Sequence, residues 1–70
     1  MEFKHEELVE REVIIARLLV KGMSEKEISE QTGMGKRIVA AHIRNMKVKL
    51  QANDLALMIR RLQQIPSLQP

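Results

Sequence analysis

Residues Thr32 to Arg44 read TGMGKRIVAAHIR: a kink bracketed by glycines, two adjacent cations, an apolar run with paired alanines, a histidine and a third cation. Two readings compete. A phosphate-cradling loop needs G-x-x-x-x-G-K-[ST], yet the residue five before Gly35 is Glu30, and Arg37, not a hydroxyl, follows Lys36. Such a loop also follows a β-strand, whereas the preceding EKEISEQ reads as helix. As a turn the stretch is coherent: Gly33 takes a positive φ at no steric cost, Met34 reaches inward, and Gly35 opens the next helix.

Outward from that turn the chain divides into four helices with short breaks. Upstream, Ser24-Glu25-Lys26-Glu27 fits a capping box and starts a short helix over 25–32, with Ile28 as its main core residue. Downstream, a helix over 36–50 sets Val39, His42, Met46 and Leu50 on one face and Lys36, Arg37, Ala40, Ala41, Arg44 and Lys47 on the others. The first helix, over 7–21, carries Val9, Val13, Ala16 and Val20 at helical spacing, widened by Ile14, Ile15, Leu18 and Leu19; Gly22 closes it. A fourth, over 54–64, is capped by Asn53 or Asp54 and carries Leu55, Met58, Ile59 and Leu62 in one stripe. Residues 1–6 and 66–70 are expected to fray, and residues 1–70 to form a single all-α domain.

Composition narrows the function. Residues 1–33 hold eight acids against five bases, whereas residues 34–50 hold five bases and no acid. A solvated helix face normally mixes signs, so this block points to a polyanion. One aromatic residue, Phe3, argues against a base-stacking platform for single strands. Cysteine is absent, and neither His5 nor His42 has a metal-binding companion at ligand spacing, so no metal or cofactor is expected. Catalysis has no constellation, and the enzyme class is set aside. The apolar runs VIIA and LLV are too short to span a bilayer. A chain of 70 residues buries a marginal core, so association with a second chain is the favoured stabiliser.

Leu8, Arg11-Glu12, Gly22, Ser24, Lys26-Glu27-Ile28, Val39, His42, Met46 and Lys49-Leu50 then fall in gap-free register with a known pattern. The chain resembles the LuxR-type, or GerE-type, helix-turn-helix domain over about residues 8–62. The resemblance implies a tri-helical core plus a C-terminal dimerisation helix, with the third helix in the DNA major groove. It implies a bacterial transcription factor, cytoplasmic and nucleoid-associated, in its stand-alone form. The departures are local. Gly35 stands where the family has serine, Ile38 where it has threonine, Ala40 where it has lysine, and Val9 where it has a threonine cap.

On this reading Arg44 is the candidate for a guanine edge. Ala40 and Ala41 either admit close groove approach or are plain helix formers. Lys36, Arg37 and Lys47 are expected on phosphates, with Lys26 adding another from the second helix. His42 is expected to pack and hydrogen-bond, and Lys49 to pair with an acid such as Glu12. Leu55, Met58, Ile59 and Leu62 exceed what so small a core requires and are expected to make a homodimer. The alternative is a reduced LuxR-type module that binds and inhibits a larger regulator through the fourth helix.

Overall fold

A computed structural model describes residues 8–69. The frayed segment expected at 1–6 and the terminal Pro70 lie outside the described residues. Four helices follow one another: α1, Glu10–Val20; α2, Glu25–Thr32; α3, Lys36–Lys49; and α4, Leu55–Gln63. A single 3-10 turn, Pro66–Leu68, closes the described chain, and no strand occurs among the described residues. The architecture is all-α and of the helix-turn-helix type, as expected.

One core serves all of these elements. Ile15, Ile28, Val39, Met46, Met58, Leu62 and Leu68 are essentially solvent-free, and Leu19, Ile43 and Leu50 are nearly so. Ile43 was not anticipated as a core residue; it lies between Val39 and Met46 on the buried side of α3. In α1 the buried face is Glu12, Ile15, Ala16, Leu18 and Leu19. The expected valine stripe is displaced to the flank, with Val13 and Val20 partly buried and Val9 half exposed. Helical spacing allowed either side of α1 to turn inward; Ile15, Leu18 and Leu19, with more apolar area to remove from water, face the core with Ala16, while Ile14 is 41 % exposed.

Two expectations for the C-terminal part are corrected. Met58 and Leu62 are fully buried within the monomer, so α4 is built into the core. Residues 66–68 are not frayed: Leu68 is 1 % exposed, and the Gln69 side-chain amide donates to the Gln63 carbonyl at 2.8 Å, closing the end of α4. A small domain uses every large apolar side chain within reach, and the tail brings one back.

Helices α1 and α3 end in the same way. Gly22, with φ +97°, lets its own N–H donate to Leu19 and that of Met23 to Leu18. Gln51 repeats the geometry at φ +53°, with bonds from Gln51 to Val48 and from Ala52 to Lys47. A side chain at positive φ costs about 1–2 kcal/mol. The bend it makes delivers Ala52, itself buried, into the core ahead of α4.

Candidate nucleic-acid interface

The turn between α2 and α3 is held by hydroxyls as well as by glycine. Gly33, at φ +77°, ends α2, and its N–H donates to the Ser29 carbonyl. A Cβ built there would meet nothing within 4 Å, so glycine is required by the backbone angle and not by crowding. The Thr32 hydroxyl donates to the Ile28 carbonyl at 2.6 Å and accepts from the Met34 N–H at 3.2 Å. The Ser29 hydroxyl donates to the Met34 carbonyl at 2.6 Å. These bonds satisfy the polar groups of the turn and fix the direction in which α3 leaves it. Sequence reading missed Ser29 and Thr32; the signal was two hydroxyl residues within one turn of the helix end.

The three helix starts along this path differ. At α2 the box is complete, with Ser24 Oγ accepting from the Glu27 N–H at 3.2 Å and Glu27 Oε1 accepting from the Ser24 N–H at 3.0 Å. The Ser24 N–H, followed by its hydroxyl, holds the Glu27 carboxyl below its ordinary pKa. At α1 only half a box exists, because Val9 has no acceptor; its N–H donates to Glu12 Oε1 at 3.4 Å. At α3 Gly35 offers no side-chain cap, the first turn has no acid, and Lys36 and Arg37 stand there exposed. The unsatisfied amides and the positive dipole end of α3 thus coincide with two cations, a strongly anion-seeking arrangement.

Along α3 the outward surface forms three rows. Arg37, Ala41, Arg44 and Val48, at i, i+4, i+7 and i+11, make the centre. Lys36, Ala40 and Lys47 run along one side, Ile38 and Asn45 along the other. Lys36, Arg37 and Arg44 are exposed; Ala40, Ala41 and Lys47 are half-buried. Among the described residues, none of these four cations is engaged in an ion pair. All six expected positions of α3 are therefore brought onto one continuous outward surface. Lys26 is exposed in the first turn of α2, off that helix.

The inward edge of α3 treats charge in the opposite way. Glu12 of α1 is 1 % exposed, and its carboxylate accepts from Lys49 Nζ at 2.6 Å and lies 3.0 Å from His42 Nδ1. Burial alone pushes this carboxyl up, but the hydrogen bonds from Lys49, His42 and the Val9 N–H together outweigh it and leave the pKa lowered. The pair ties α3 to α1 and removes Lys49 from the cations available outside.

Of the residues expected to pair two copies, Met58 and Leu62 are unavailable, as described above. Leu55 and Ile59 remain partly exposed on α4. Among the described residues no cluster of His, Asp and Glu is suited to a metal ion, and no helix is long and apolar enough to cross a membrane.

A short capped helix, a hydroxyl-laced glycine turn and an outward cationic helix together define a helix-turn-helix domain. A family described as bacterial regulatory proteins, luxR family, matches residues 6–62, and the chain belongs to that family. No curated protein and no solved structure matched.

Proposed function

We propose that the chain is a sequence-specific regulator of transcription that binds double-stranded DNA, laying α3 in the major groove as a bacterial cytoplasmic homodimer. The observation that carries this is the outward surface of α3. Among the described residues, Lys36, Arg37, Arg44 and Lys47 lie there without an acid or an ion-pair partner, beside a helix start with no side-chain cap. Membership of the regulatory family supports the same reading.

Arg44, central and exposed, is assigned to a guanine edge; Ala40 and Ala41 keep the helix slim enough to approach the bases. Lys36, Arg37, Lys47 and Lys26 are assigned to phosphates, which set register without reading sequence. Pairing of two copies falls to Leu55 and Ile59, the part of the α4 stripe left partly uncovered.

Selection from a random duplex pool, with the salt dependence of affinity measured on the winner, tests the proposal. The logarithm of affinity is expected to fall linearly with that of salt, by about 0.9 per phosphate neutralised. Arg44→Ala is expected to cost about 1–3 kcal/mol and to relax preference at one base pair, while Lys47→Ala weakens all duplexes alike. A pool that enriches nothing, or affinity indifferent to salt, would remove this function. Light scattering separates the homodimer from a module that pairs only with a larger regulator.

A further inference from the structure

Two large apolar side chains stand exposed on the most cationic helix of the molecule. Val48 is 78 % exposed and Ile38 43 %, both on the outward side of α3. With Ala41 and Asn45 they fall at i, i+3, i+7 and i+10, a band that joins the Ile38 side of the outward surface to its central row, beside Arg37 and Arg44. Among the described residues nothing buries Ile38 or Val48. The Val48 side chain, next to the last residue of α3, contributes nothing to the core, and an exposed β-branched residue lowers helix propensity slightly.

Given the DNA-binding reading above, we infer that Ile38, Ala41 and Val48 read the 5-methyl groups of thymines, so that the site carries A·T pairs on both sides of the guanine met by Arg44. Charge complementarity commits the band to a duplex: it is flanked by Lys36, Arg37, Arg44 and Lys47, in a stretch of residues 34–50 that has no acid. The thymine methyl is the apolar group that the major groove displays, and the amide of Asn45 in the same band matches the adenine edge of such a pair. Ten residues separate Ile38 from Val48, about 15 Å at about 1.5 Å per residue. At about 3.4 Å per base step this spans roughly four base pairs. Ile38 therefore reads one end of the half-site and Val48 the other, with Arg44 between them.

The test uses the full chain and the duplex recovered from the random pool. Each thymine in turn is replaced by deoxyuridine, which keeps the pairing and removes only the methyl group. Affinity is expected to drop about fourfold, the equivalent of one methyl-sized apolar contact, at two positions roughly four base pairs apart. The drop at one position should vanish in Ile38→Ala, and at the other in Val48→Ala. Both side chains are exposed, so these variants keep the fold, which thermal unfolding checks. Undiminished binding to a duplex with every thymine replaced would overturn the inference while leaving DNA binding intact. A pool that yields no duplex would instead strike down the function proposed above, and this inference with it. A Val48→Glu variant that keeps full duplex affinity but loses self-association would reassign the band to a protein contact and overturn the inference.

Discussion

The starts of α2, at Glu25, and α3, at Lys36, are built in opposite ways. At α2 the chain closes its own helix: Ser24 and Glu27 satisfy each other's amides, and Glu25 adds a second acid at the positive end of the dipole. At α3 it withholds every such group, placing glycine at the cap and two cations in the first turn. An isolated helix would be better served by the first arrangement. The second makes sense for a helix end completed by an anion from outside, and that contrast is the strongest local signature of function in the molecule.

Glu12 extends the comparison to α1, where one carboxylate both closes the helix start and anchors α3 through His42 and Lys49. It also offers the largest test. Glu12→Gln removes a buried charge whose partners, His42 at 20 % and Lys49 at 29 % side-chain exposure, retain some access to water. The loss is therefore expected at or below the lower end for a broken buried pair, about 2–3 kcal/mol in denaturant unfolding. Because the folded pKa of Glu12 is lowered, its stabilisation is present above the unfolded value, about 4.3. It drains away as the pH falls through the folded one. The parent chain should lose stability on acidification below about pH 4.3, and Glu12→Gln should show a flatter profile. Equal slopes would remove the anchor role.

Next in size is the closed start of α2. Ser24→Ala deletes the hydroxyl acceptor and is expected to lower stability by about 1 kcal/mol, read as a shift in denaturation midpoint at constant slope. The smallest effect is expected at the open start. Gly35→Ser supplies the missing cap and gains only a few tenths of a kcal/mol, since glycine is already tolerated there. No Cβ clash opposes it, because nothing lies within 4 Å. Gly35→Asp should be stabilised similarly yet bind duplex more weakly, its carboxylate standing where a phosphate is expected. If Gly35→Asp bound as tightly as the parent, the open end of α3 would not be where the anion sits.

Local chemistry made much of this legible. The Ser24 box, the positive φ of Gly33 and Gly22, the acid-free helix beginning at Lys36 and the pairing of Lys49 with Glu12 all followed from residue types at fixed spacing. What was misjudged depended on which neighbour lay overhead. Spacing alone placed the valines of α1 toward the core, omitted Ile43, and offered Met58 and Leu62 to a second chain. It also left Leu68 in a loose tail.

By itself, then, the sequence determined where α2 and α3 begin and which stretch is free of acids, because caps, glycines and charge runs act over a few residues; the first helix, expected from residue 7, begins at Glu10. Only the tertiary structure decided which apolar side chains remain outside. Ile14 and Ile15 are adjacent and identical, both counted in the apolar stripe of α1, yet one is 41 % exposed and the other fully buried, because the rest of the core lies on one side of that helix.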